Sequence, residues 1–481
     1  NTHIYIYIVL SYSLNYIHSS SVITIIANNS VEGKKQGIYQ IDGFSYSVRK
    51  IDNNNNNIDL SSKKAIYNDL YYYYFNVEPG TYEIKMTTNK TSVSLDFLMV
   101  YDGSLEDLCQ FDSVVIKNDG DKINITDLSN AFHFCPHLKS IDLTMFDMSG
   151  VTNFRGIFYN CKSLVSVNFG SLLPQKLKNM RDMFYECSSL ISINLSSFDT
   201  TDVSDMSFMF FACSSLISIN LSNFDTSNVI NMSLMFKYCS SLISINLSNF
   251  DTSNVTNFES MFHDCDSLTS LDLSNFNTSK TENMQAMFYN CNSLTYINIE
   301  NFDISNVTNM NQMFYNCQKL SYIKIKNFEG NVLYSTTGMF NGCNSLISID
   351  FNKFIVKNVI KLDNMFYNCF KLKSLDLSNF NTSSTTTMEL MFSGCESLVY
   401  LNINNFNTSS VTNMYKMFKN CESLTSLNLS SFNINEETNI NFMFLQSSEN
   451  FIYCINDISF AKIESQLTDK KCAIRDYNWL E

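Results

Sequence analysis

The sequence predicts an α/β repeat solenoid preceded by a β-rich domain, and three observations carry the prediction. Twelve cysteines, Cys135, Cys161, Cys187, Cys213, Cys239, Cys265, Cys291, Cys317, Cys343, Cys369, Cys395 and Cys421, recur every 26 residues with no insertion between them. A set of apolar columns keeps step with them. The first hundred residues lack this period and instead alternate apolar with polar residues. A fixed period of this length marks a stack in which each coil buries its apolar face only against its neighbours.

Counting the cysteine as position 0, positions 3 to 8 read L-x-x-I-x-L, as in Leu216, Ile219 and Leu221. The alternation in the second half of that run suits a half-buried strand, so each coil is expected to add one strand to a parallel sheet. Positions 12 to 18 carry Asp/Asn-Thr-Ser-Asn-Val-Thr-Asn, whose short polar side chains favour turns. Met at 19 and 22 and Phe at 23 fall at helical spacing, which predicts a short helical turn opposite the strand. The phenylalanine at 23 never fails, from Phe132 to Phe444.

The combination SLxSIxLSNFDTSNVTNMxxMFxxC, held over roughly residues 123 to 450, resembles the BspA-like leucine-rich-repeat surface proteins and their 26-residue mycoplasma-lipoprotein-type repeat. The resemblance implies a leucine-rich-repeat stack with one parallel strand and one short helical turn per coil. It also implies a secreted or cell-surface binding protein without catalytic residues, some relatives adhering to extracellular-matrix proteins. The copy opening at Cys161 departs most: KSLVSVNFGSLLPQKLKNM replaces the Phe-Asp-Thr-Ser turn and introduces Pro174, so its convex edge is expected to differ.

Four regions follow. Residues 1–104 form a β-rich domain, 105–130 a transition that caps the solenoid, 131–450 about thirteen coils, and 451–481 a C-terminal cap. In the first region the runs Tyr71–Val77, Thr81–Thr87 and Thr91–Tyr101 are separated by Glu78-Pro79-Gly80 and Asn89-Lys90, which predicts hairpins and an antiparallel β-sandwich. Within 105–130, FDSVVIKNDGDKINITDLSN supplies a strand to cover the first coil. Ile4, Ile6, Ile8 and Leu10 alternate with Tyr5, Tyr7 and Val9, so a strand there is apolar on both faces. Such a segment within residues 1–27 belongs at the centre of a sheet or is lent to another molecule, which would give a filament. The chain opens on Asn1, as a processed or partial chain would.

Composition narrows the function. Lys and Arg number 32 against 46 Asp and Glu, a net charge of −14, which argues against nucleic acid as a partner. No run of about 18 apolar residues predicts a membrane span. Five histidines are scattered, and of His133 and His137 in HFCPH the intervening Pro136 disrupts the helix an i, i+4 metal pair needs, so neither metal nor cofactor is expected. The carboxylates Asp199, Asp225 and Asp251 at position 12 read as turn caps. Nothing in an evenly distributed repeat converges as an active site does, so the chain is not expected to be an enzyme.

The column cysteines follow Met-Phe and are expected to pack as reduced, buried hydrophobes. Cys109 is in phase with them but lacks the rest of the pattern. Cys454 and Cys472 lie outside the column and are expected to be bridged in an exported protein.

Positions 5 and 7 should point outward from the strands, making a serine row and an asparagine row. Tyr296, Tyr322 and Tyr400 interrupt the first and Lys324 the second, and exposed tyrosines are enriched at recognition surfaces. These four are the candidate ligand contacts, for an extracellular protein or glycan. Asn28, Asn89, Asn124, Asn194, Asn220, Asn231, Asn246, Asn254, Asn277, Asn306, Asn381, Asn407 and Asn428 head Asn-x-Ser/Thr triplets and are candidate N-glycosylation acceptors. The expected function is a non-catalytic adhesin or recognition module at the cell surface; the alternative is a glycosylated structural subunit of a coat or filament.

Overall fold

The structure is a computed structural model of the chain. It describes residues 124–448 apart from 172, 325–327 and 350–353, together with strands between 21 and 117, Leu95, and residues 452–455. The chain divides into two compact units, one of residues 1–229 and 235–249, the other of 230–234 and 250–481.

The first unit begins with β1 (Ser21–Asn29), β2 (Lys34–Tyr39), β3 (Phe44–Ile51), β4 (Asn57–Ile58), β5 (Lys64–Tyr67), β6 (Leu70–Val77), β7 (Gly80–Thr88) and β8 (Ser92–Ser94). Next come β9 (Ser113–Lys117) and β10 (Asn124–Asp127), then the first coil strands, β11 (Ser140–Met145) and β12 (Ser166–Asn168). Although β6 and β7 flank Glu78-Pro79-Gly80, they are not a hairpin. β6 pairs with β2 and β5, while β7 pairs with β1 and β3, so the chain changes sheets at that turn.

The larger N-terminal sheet does not end within the N-terminal region. β9 pairs antiparallel with β1 on one side and parallel with β11 on the other, which runs the N-terminal sheet directly into the coil ladder in the order β12-β11-β9-β1-β7-β3-β4. β9 thereby satisfies the backbone edge that the first coil strand presents. The apolar segment of residues 1–20 lies outside the described residues; β1, which follows it, sits between β7 and β9.

Parallel coils fill the rest of each unit. In the first, Ser192–Asn194 pairs with Ser218–Asn220 in register. In the second, Ser270–Asp272, Tyr296–Asn298 and Tyr322–Lys324 form one parallel sheet, and Ser374–Asp376 pairs with Tyr400–Asn402. Position 18 makes a second parallel ladder of single bridges, such as Asn283 with Asn309. The repeat stack is therefore a parallel β-solenoid.

The helical turn is replaced, and no helix occurs among the described residues. Position 21 and position 25 both take a left-handed backbone, Ala286 at φ 53° and Asn290 at φ 56° in one coil, and a residue in that region ends a right-handed helix. The N–H groups of Met284, Ala286, Phe288 and Asn290 donate to the carbonyls of Asn309, Asn311, Met313 and Tyr315 in the next coil, at 2.8–3.0 Å. The intervening Met287, Tyr289 and Cys291 N–H groups close tight turns on the residues three before them. A helix would spend all its donors inside the segment. Alternating turns free every second donor for the stack.

Among the residues whose side chains are described, Leu at 3, Phe at 11, Met at 19 and 22, Phe at 23 and Cys at 0 are buried in both units. The rings at 23 stack face to face, Phe184 on Phe210 at 5.5 Å and Phe288 on Phe314 at 5.2 Å. Each such contact is worth about 0.5–1.5 kcal/mol beyond its buried area. In the departing coil Phe169 packs edge-on against Phe198 at 4.9 Å, and Leu173 and Leu177 are buried, so the coil closes with other side chains. No helix among the described residues is long and apolar enough to cross a membrane.

Candidate recognition surface

Position 5 is exposed in most of the paired strands, Ser140 and Ser426 being half-buried, and Tyr296 and Tyr322 occupy it in adjacent coils. Their rings are nearly parallel, 6.2 Å apart and 11° from coplanar, with 36% and 54% of their surface exposed. Tyr400 is also exposed, but Ser348 and Ser374 separate it from Tyr322 in the column, so it stands apart from the pair. Lys324 takes its strand place opposite Asn298; only its backbone is described.

Position 7 behaves less uniformly than a solvated asparagine row. The Asn220 Oδ1 accepts the Ser222 N–H at 3.1 Å, as Asn246 does that of Ser248 at 3.0 Å, so the side chain caps its own turn. The residue is exposed at Asn194, Asn220 and Asn246 and buried at Asn298 and Asn428. At position 12, Asp199, Asp225 and Asp251 likewise accept the N–H two residues on. The hydrogen bonds from Ser227 hold the Asp225 carboxyl below its ordinary range.

A second aromatic column lies at position 24. Tyr159 stacks on Tyr185 at 4.3 Å and Tyr185 on Phe211 at 4.4 Å, both 3° from parallel, with His133 on Tyr159 at 4.6 Å. In the second unit His263 stacks on Tyr289 at 4.4 Å and Tyr289 on Tyr315 at 4.5 Å. The tetrapeptide Phe-Tyr-Asn-Cys, at 158–161, 288–291, 314–317 and 366–369, is the sequence signal for this column.

His263 lies between Ser260 Oγ, 3.5 Å from its Nδ1, and Asp264 Oδ2, 2.9 Å from its Nε2. Acyl transfer also needs free backbone donors for an oxyanion. Here the N–H groups of Ser260, Met261, Phe262, His263 and Asp264 are all engaged within the stack. A cavity of about 520 Å³ is lined by Glu300, Asp303 and Glu329 with Asn301, Ser305 and Asn331. Among the described residues no group of three or more His, Cys, Asp or Glu is placed to hold a metal.

Eleven column cysteines, Cys161 to Cys421, are free and buried. The Cys291 thiol donates to the Phe262 carbonyl at 3.1 Å, and nine other column thiols make the same bond at 3.0–3.2 Å. Burial pushes the Cys161 and Cys421 thiols up to about 12. Cys135 corrects the reading of a fully reduced column, because it is disulfide-bonded. Cys454, in a strand beside Ser426–Leu429, is disulfide-bonded too. Cys109 and Cys472 lie outside the described residues.

Of the candidate glycosylation sites, Asn277, Asn306, Asn381 and Asn407 are exposed like Asn194, Asn220 and Asn246, and Asn231 and Asn254 are half-buried. Asn254 accepts the Lys280 ammonium at 2.6 Å. Asn28 and Asn124 lie in strands whose side chains at those positions are not described, and Asn89 lies outside the described residues.

No curated protein is similar enough to the chain to be matched. One family model matches four overlapping stretches, residues 126–242, 212–328, 290–398 and 371–466, which together run over more than half of the 481 residues. The chain belongs to the family described as Mycoplasma protein of unknown function, DUF285.

Proposed function

We propose that the chain is a non-catalytic extracellular or cell-surface binding protein, an adhesin or recognition module whose coils are of the BspA-like leucine-rich-repeat type. The observation that carries the reading is the Tyr296–Tyr322 pair, two exposed, stacked rings that interrupt a row of serines. Large rigid rings bury much area for little lost entropy, so they serve a protein or glycan ligand well. Lys324 and Tyr400 flank this reading as subsidiary contacts. The disulfide-bonded Cys135 and Cys454 favour an oxidising compartment, outside the cell or at its surface. Screening the chain against matrix proteins and glycans, and comparing the Tyr296→Ser/Tyr322→Ser variant, tests it. An unaltered affinity for the ligand found would reject the patch.

A second reading is a structural subunit of a surface coat or filament, favoured by the exposed Asn194, Asn220 and Asn246 on the strand face. Glycans there would cover the surface a ligand needs. Of the donor segment, residues 21–27 pair with β7 and most of them also with β9 in their own chain, which leaves residues 1–20 to be lent. Intact mass before and after glycosidase, and light scattering with and without residues 1–20, separate the two readings. A bare, monomeric chain at high concentration removes the second.

A further inference from the structure

The two aromatic tracts at position 24 each contain one tyrosine pair. In the first unit Tyr159 and Tyr185 are bounded by His133 and Phe211. In the second, Tyr289 and Tyr315 are bounded by His263, with Asn341 at position 24 of the following coil. The pairs are 4.3 Å and 4.5 Å apart and 3° and 4° from parallel. Both members come from the same coil position, so one ring is nearly a translated copy of the other. Translation places each ortho carbon opposite its counterpart at about the centroid separation. All four rings are partly exposed, so an oxidant reaches their edges.

We propose that Tyr159–Tyr185 and Tyr289–Tyr315 are modification sites at which a peroxidase-type oxidant joins neighbouring coils through a tyrosine–tyrosine cross-link. Each phenol loses one electron and its hydroxyl proton, giving two tyrosyl radicals. These couple by a new bond between one ortho carbon of each ring. The two ortho hydrogens then move to the oxygens as the rings regain aromaticity. Two electrons and two protons leave in all, and hydrogen peroxide takes them up as two molecules of water. The bond ties two coils that are otherwise held by main-chain ladders and ring stacking. Because each tract holds a single pair, the link cannot run on along the column.

The alternative site is set by exposure rather than geometry. Tyr296 and Tyr322 are also in adjacent coils and are exposed, but their centroids are 6.2 Å apart. Treating the dilute full chain with a haem peroxidase and hydrogen peroxide, then digesting it and measuring peptide masses, distinguishes the two. Joined peptides that have lost two hydrogens are expected for 159–185 and 289–315, several-fold more abundant than for 296–322. Tyr185→Phe should remove the first and spare the second, and Tyr289→Phe the reverse. Phenylalanine is tolerated in this column, since Phe211 already occupies it. Equal or greater linkage at 296–322, or no joined peptide from either position-24 pair, overturns the proposal.

Discussion

Thr278 holds both polar ends of Asp303 in the next coil: its Oγ1 donates to the Asp303 carbonyl at 2.8 Å and accepts the Asp303 N–H at 2.7 Å. The side chain is fully buried, and it keeps company with Thr200 on Asp225, Thr252 on Asn277, Thr382 on Asn407 and Thr408 on Asn433. A hydroxyl in a core is tolerated when donor and acceptor are both used. Thr278→Val keeps the β-branched shape but strands both backbone groups. The expected loss is about 2 kcal/mol, read as a lower urea midpoint. Ser279→Ala, one residue on and only partly buried, should shift it little. Equal midpoints for Thr278→Val and the parent would show that the ladder contributes nothing net.

That threonine column marks where the sequence stops being legible. The period, the Leu, Met and Phe columns and the strand at positions 5 to 7 follow from residue type and spacing alone, and the structure buries those columns. Thr278 reads as part of a polar turn, because only the closed coil reveals that its hydroxyl faces inward. Met284, Met287 and Phe288 sit at helical spacing, yet Ala286 and Asn290 between and after them are left-handed. The clue is the Asn or Gly just before seven of the twelve column cysteines, residue types that tolerate a positive φ, although Phe134, Glu186, Ala212, Tyr238 and Asp264 take the same conformation in the other coils. On the candidate surface, Tyr296 and Tyr322 were identifiable as breaks in a row. Ser348 and Ser374 already place Tyr400 apart from them in the sequence, whereas the closeness and parallelism of the Tyr159 and Tyr289 stacks depend on side-chain conformation that the recurrent Phe-Tyr-Asn-Cys does not fix.

The thiol column makes a counting prediction. Buried thiols raised to about 12, as at Cys161 and Cys421, leave almost no thiolate at neutral pH. A thiol reagent should therefore leave the eleven free column cysteines untouched in the folded chain. Under denaturant without reductant those eleven should all react, while Cys135 and Cys454 should react only after reduction. Rapid labelling of Cys291 or Cys317 in the native protein would contradict the burial.

His133 supplies a pH dependence. Burial chiefly, with the nearby Arg155 charge adding to it and a hydrogen bond to the Gly156 backbone opposing it, lowers its pKa from 6.5 to about 4. Between those values the unfolded chain binds the proton and the folded chain does not. The contribution to stability is thus complete above pH 6.5 and lost as the pH falls toward 4, amounting to at most about 3 kcal/mol. Carboxylates titrate in part of the same window, so the comparison is with His133→Asn, asparagine being native at position 24 in Asn341. The variant should show a flatter fall in urea midpoint from pH 7 to pH 4.5. Parallel curves would mean that His133 is protonated alike in both states.

The strand-face sequons give the last prediction, for the chain secreted from a glycosylating eukaryotic host. Attachment at Asn-x-Ser/Thr precedes folding, so a glycan on any of Asn194, Asn220, Asn246 and Asn428 must then be carried by the closed coil. At Asn220 and Asn246 the side-chain oxygen is occupied by its turn while the residue is exposed, so the amide nitrogen is free to carry sugar outward. Asn428 caps its turn in the same way, through the Ser430 N–H at 3.0 Å, but is 8% exposed. It lies in the strand Ser426–Leu429, which pairs with Ile452–Ile455, and a glycan there has no way out without parting that pair. Site-by-site peptide mapping of the folded, secreted fraction should find occupancy at Asn220 and Asn246 and essentially none at Asn428. Forms glycosylated at Asn428 should collect in the retained, misfolded fraction, and Asn428→Gln should raise the secreted yield. High occupancy of Asn428 in properly folded chain would show that the last strand pair does not close over it.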